Sequence, residues 1–200
     1  MHPVKNAQVG ENRLQIWDEK EQQPDMYGGE MDSQSLFTFI LEMAGTIAFA
    51  ASGAMVGAQR GMDIFGICVL GVVTAVGGGA TRDIILGIVP PGMFQNPIYT
   101  IVATVTSCIV FAIMYWKQEL LEGENRLVYD KVMLVMDSVG LGVFTVMGVD
   151  KGITEGYMGR TFFLVFLGTV TGVGGGLIRD MMAGVPPYIF VRHIYACASI

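Results

Sequence analysis

Five stretches of this chain are apolar enough, and long enough, to cross a lipid bilayer. Residues 36–59 carry one charge, Glu42, and residues 64–89 carry only Arg82 and Asp83. Residues 98–116 carry none, residues 132–149 only Asp137, and residues 161–185 only Arg179 and Asp180. A hydrocarbon core about 30 Å thick needs about 20 apolar residues of helix to span it. Within lipid, backbone groups must be satisfied inside the segment, so a spanning element is a helix or part of a closed barrel. Barrel strands alternate polar and apolar residues, and these runs do not. The expected fold is therefore an all-α membrane protein.

The remaining composition agrees. Charged residues make up 15% of the chain, against about 25% in soluble domains. The 27 glycines have no three-residue period, which excludes a collagen-like chain. A net charge of −6 argues against nucleic-acid binding, which needs a basic surface. Cys68, Cys108 and Cys197 sit inside apolar runs and read as small buried hydrophobes, with no metal site or disulfide frame.

Residues 1–35 hold seven acids and three bases without apolar periodicity, and are expected to form a polar, acidic, disordered leader. They lack the basic start and short apolar core of a signal peptide. Residues 36–116 then form a first three-helix unit, residues 117–131 a polar connector, and residues 132–200 a second unit. A sixth apolar run begins at Ile194 and reaches Ile200, so a truncated sixth span is expected. Arg60, Lys117, Arg126, Lys131 and Arg192 fall on one side of the membrane, and Lys20, Lys151 and Arg160 on the other. That bias favours an N-terminus outside a multi-pass plasma-membrane protein.

The chain also repeats itself. Val76-Gly77-Gly78-Gly79-Ala80-Thr81-Arg82-Asp83 returns 97 residues later as Val173-Gly174-Gly175-Gly176-Leu177-Ile178-Arg179-Asp180. Phe65, Gly71 and Thr74 match Phe162, Gly168 and Thr171 at the same offset. Glu42, Gly45, Phe49 and Gly53 match Asp137, Gly140, Phe144 and Gly148 at an offset of 95. Pro90-Pro91 and Ile98-Tyr99 return as Pro186-Pro187 and Ile194-Tyr195. A unit of three spans inverts its second copy, giving two halves related by an axis in the membrane plane, as in many transporters.

Three successive glycines weaken a helix by roughly 1 kcal/mol each relative to alanine. They predict a kink or break, with a new half-helix starting near Ala80 and near Leu177 and its N–H groups facing the gap. Adjacent helical positions diverge by about 100°, so Arg82 and Asp83 are expected to find partners on other spans and not each other. Glu42 and Asp137 are the candidate partners. Four acids (Glu42, Asp83, Asp137, Asp180) against two arginines (Arg82, Arg179) leave a negative surplus that suits a cation or a zwitterion. The candidate pathway is thus Gly77, Gly78, Gly79, Arg82, Asp83, Gly174, Gly175, Gly176, Arg179, Asp180, Glu42 and Asp137. Packing alone explains Gly53-x-x-x-Gly57 and Gly168-x-x-x-Gly172, but it does not demand intramembrane charge. The sequence contains no paired His or Cys motif, no Gly-x-Ser-x-Gly elbow and no phosphate loop, so no enzyme and no cofactor are expected.

These residues resemble the bacterial glycine-transporter-domain family, itself similar to the trimeric intracellular cation (TRIC) channels with seven spans arranged 3+3+1. The duplicated Gly-Gly-Gly-x-x-Arg-Asp motif carries the resemblance. The series Gly45-Thr46-x-Ala48-Phe49-Ala50-x-Ser52-Gly53-Ala54 and the loop Arg60-Gly61-Met62-Asp63-x-Phe65-Gly66 extend it. The resemblance implies transport of a small solute, glycine or a similar zwitterion, with a TRIC-like channel for monovalent cations as the alternative and a structural membrane protein as the second. It further implies a homo-oligomer, a trimer being one form.

Overall fold

The computed structural model describes residues 33–116 and 125–187, so the acidic leader, most of the connector, His193, Cys197 and the sixth apolar run lie outside the described residues. Among the described residues there are six α-helices and no strand. They are α1 (Ser33–Gln59), α2 (Ile64–Leu86), the short α3 (Gly92–Gln95), α4 (Ile98–Trp116), α5 (Asn125–Gly152) and α6 (Thr161–Met182). Five are long and apolar enough to cross a membrane. Helix α5 begins inside the expected connector and runs past Asp150 into a π-helical turn, Ile153–Tyr157. The polar residues at both ends did not stop the helix. An i,i+4 ion pair, Lys151 to Glu155 at 2.8 Å, bridges the extension at its far end.

The spans stop where the sequence requires it. Asp63 accepts a hydrogen bond from the Gly66 N–H (2.7 Å) and caps the start of α2. Helix α2 ends at Gly87 with φ +75°, and α6 is followed by Gly184 with φ +66°. Both adopt the same closure: Ile88 N–H donates to the Asp83 carbonyl (2.8 Å), and Val185 N–H to the Asp180 carbonyl (3.0 Å). This left-handed glycine cap disposes of carbonyls that a helix end would otherwise leave bare.

Helix α1 is the central element, with 56% of its apolar window buried against 17% for α4. Phe49, Ala50, Ala75, Val76 and Ala103 form a core cluster from α1, α2 and α4. The interior also holds small hydroxyl residues: Thr74, Thr171 and Ser107 are fully buried. Each bonds the carbonyl four residues back on its own helix, which satisfies the hydroxyl without a partner helix. Outward faces are apolar, as with Ile101, Val105, Ile109 and Ile113 spaced by four along α4. In a bilayer such a face needs no cover, because lipid is as apolar as the side chains.

The two halves are built as inverted copies, and their contacts are reciprocal. A methyl group placed on Gly53 would lie 2.8 Å from the Gly71 Cα, and one on Gly148 would lie 2.9 Å from the Gly168 Cα. Gly45 faces the Phe144 ring and Gly140 faces the Phe49 ring. The Gly53, Gly57, Gly168 and Gly172 spacing therefore serves helix packing, as its pattern suggested.

Candidate functional site

The two glycine runs meet each other. A methyl group on Gly78 would lie 2.1 Å from the Thr171 carbonyl oxygen, and one on Gly175 would lie 2.2 Å from the Thr74 carbonyl oxygen. Gly174 approaches the Gly78 Cα, and Gly77 lies against Ile178. Helices α2 and α6 thus cross with backbone on backbone.

The expected break does not occur. Both helices run unbroken through their glycines, and no left-handed residue interrupts them. The half-helix starts expected near Ala80 and Leu177 are therefore absent. Opening a helix in lipid strands backbone groups at several kcal/mol each, whereas a continuous helix lets each glycine admit the crossing carbonyl. The Arg-Asp pairs also lie nearer the span ends than expected. Arg82 is four residues before Leu86, about 6 Å along the axis, and Arg179 is three before Met182. Arg179 lies in the last turn of α6, where the helix dipole favours a cation.

Arg179 is 2% exposed and held by three residues. Its Nε donates to Asp180 (2.8 Å). Its Nη1 donates to Asp137 (2.5 Å) and to the Ser52 hydroxyl (2.5 Å), and its Nη2 to the second Asp137 oxygen (3.3 Å). Ser52 in turn donates to Asp137 (3.1 Å), tying α1 to the cluster. Asp137, one of the two candidate partners, thus meets Arg179.

In the first half Arg82 bonds its own neighbour, with Nε and Nη2 at 2.9 and 2.8 Å from Asp83 Oδ1. The other Asp83 oxygen accepts the Gly92 N–H (2.8 Å), fixing the loop beyond α2. The expectation that adjacent Arg and Asp would not pair is wrong in both halves. The Cβ directions do diverge, but the arginine is long enough to bring its Nε edge round to the next carboxylate. Glu42, the repeat counterpart of Asp137, does not meet Arg82; the Tyr99 hydroxyl donates to it instead. Sequence reasoning missed Ser52 and Tyr99 as partners, although both stand in segments already flagged as motif and repeat.

Cys68 and Cys108 are not buried as expected. Cys68 is half-buried, Cys108 is exposed, and their sulfurs are 3.5 Å apart across α2 and α4. Among the described residues, no group of three or more His, Cys, Asp or Glu is arranged to hold a metal.

Five helices long and apolar enough to span a membrane, with repeat-related Arg-Asp pairs inside the bundle, define a class: a multi-pass membrane protein of inverted-repeat design. The family model described as "Glycine transporter" matches residues 39–115 and 134–200. The chain belongs to that family. It is 39% identical to the inner membrane protein YadS of Escherichia coli K12 over 82% of this chain and 75% of that protein. It is 37% identical to a membrane protein of Deinococcus radiodurans over 80% of this chain and 70% of that one. The fold is similar to that of the TRIC trimeric intracellular cation channel orthologue from Rhodobacter sphaeroides. There the TM-score is 0.72 at 31% identity, covering 82% of this chain and 78% of that chain. A prokaryotic TRIC channel gives a TM-score of 0.73, also at 31% identity, covering 82% and 79%.

Proposed function

We propose that this protein conducts monovalent cations across the cell membrane, through a path beside the glycine crossing, as a homo-oligomer. The observation that carries the reading is the state of the two arginines. Each is already ion-paired to intramembrane acid, so the acids Glu42, Asp83, Asp137 and Asp180 outnumber the bases within the bundle. A surplus of fixed negative charge in a low-dielectric wall attracts cations and repels anions. The similarity to TRIC cation channels supports the same reading, and their trimeric name supports an oligomer.

A second reading is uptake of glycine or a similar zwitterion. In its favour stands the family description, and also Arg82, which among the described residues bonds Asp83 through Nε and Nη2 and could present its Nη1 to a carboxylate. Against it stands the loss of the half-helix N-termini that were to bind that carboxylate.

Reconstitution in planar bilayers under a KCl gradient separates the two. A reversal potential close to that of potassium, without saturable uptake of labelled glycine, is the expected result. Saturable glycine uptake in liposomes without potassium current would overturn the channel.

A further inference from the structure

The two halves end α2 and α6 with the same glycine closure but do not hold their arginines alike. Arg179 bonds Asp180, Asp137 and Ser52 and is 2% exposed. Among the described residues Arg82 bonds Asp83 alone, and its side chain is 14% exposed. Two substitutions account for the difference. Glu42 stands where the second half has Asp137, and its carboxylate is taken by Tyr99. Ser52, which reaches Arg179, has Met147 as its repeat counterpart, and a thioether gives a guanidinium only a weak acceptor.

The space beside the glycines differs in the same sense. A methyl group on Gly176 would find the Arg179 Nη2 at 3.7 Å and both Asp137 oxygens at 3.9 Å. One on Gly79 would find only the Arg82 Nη2, at 3.9 Å. The hollow beside Gly176 is filled by a closed ion-pair cluster, while the hollow beside Gly79 holds a single guanidinium.

We propose that the two arginines have separate tasks. Arg179 is a structural staple outside the conducting path, and Arg82 is the positive charge that lines the path and limits cation flow. The proposal rests on the channel reading for its conductance arm but not for its labelling arm. An arginine with one partner can swing off Asp83, exposing a carboxylate to a passing cation. An arginine with three partners cannot move without stranding Asp137 in the protein interior.

Thiol labelling tests the placement without reference to current. In a background with Cys68, Cys108 and Cys197 changed to Ser, Arg82→Cys and Arg179→Cys are exposed in membranes to a cationic methanethiosulfonate. Arg82→Cys should react, from one side of the membrane only, and Arg179→Cys should not. Because Arg179→Cys can fail to fold, Gly79→Cys and Gly176→Cys are labelled as a second pair, with Gly79→Cys alone reacting. In bilayers Arg82→Gln should raise potassium conductance by roughly threefold, as loss of a nearby like charge implies. The reagent should return the Arg82→Cys current to the wild-type level. Equal labelling within both pairs, or an unreactive Arg82→Cys, would overturn the division of tasks. So would unchanged conductance in Arg82→Gln. Absence of wild-type potassium current with asymmetric labelling would overturn the channel but keep the exposed arginine.

Discussion

Phe49 and Phe144, counterparts in the two halves, stack with ring centroids 5.3 Å apart and planes 26° from parallel. Each ring also occupies the slot left by a glycine of the other half, Gly140 for Phe49 and Gly45 for Phe144. The pair therefore sits where the inverted repeats face each other, and a contact made once in sequence terms is made twice in the fold.

Backbone-to-backbone crossing leaves no room for even one carbon. Gly78→Ala or Gly175→Ala should lower stability by about 1–3 kcal/mol or more, since a helix carbonyl cannot swing aside. Gly142→Ala, where nothing lies within 4 Å, should cost nothing measurable. Thermal unfolding of the detergent-solubilised protein compares them; equal Tm values would refute the close approach.

Removing one member of the Arg179 cluster leaves buried charge uncompensated. Arg179→Gln and Asp137→Asn should each cost about 3–5 kcal/mol. The double variant should cost clearly less than the sum of the singles, because the two act as one unit. Additive losses in the same unfolding assay would mean that the pair is not coupled.

Gly87 and Gly184 hold backbone that alanine adopts poorly. Gly87→Ala and Gly184→Ala should each lose about 1–2 kcal/mol, the usual cost of a left-handed L-residue. Matching losses at the two sites are expected because the closures match. A neutral Gly87→Ala would show that the cap bears no strain.

Sulfurs 3.5 Å apart need move little to reach the bond length of about 2.05 Å. Copper-phenanthroline oxidation of the native membranes should link Cys68 to Cys108, shown by a Cys68–Cys108 cross-linked peptide in mass spectrometry. That peptide should be missing from Cys68→Ser. No such peptide from the wild-type protein would mean that α2 and α4 are not in the described register.

The spans and the duplication were legible because both depend on residue type alone. A run of apolar residues has few alternatives in a bilayer, and Gly-Gly-Gly-x-x-Arg-Asp at matched spacing survives in any fold. The role of the glycines was not legible. Low helix propensity and tight crossing both select glycine, and only the Thr171 and Thr74 carbonyls overhead decide between them. Nor could spacing reveal that Arg82 would reach Asp83, because side-chain length overrides the angle between neighbouring positions. Glu42 was named as a candidate partner for the Arg-Asp residues, and the bond it makes instead, from Tyr99 on another helix, left no mark in the spacing.

The reciprocal seats of Gly78 under Thr171 and Gly175 under Thr74 act as a rivet through the middle of the molecule. Sliding either helix by a full turn would bring a side chain, Thr74 or Arg82 in place of Gly78 and Thr171 or Arg179 in place of Gly175, against the opposing carbonyl. A rivet resists sliding, so any motion that reshapes the bundle belongs to the outer helices and the side chains around the pivot.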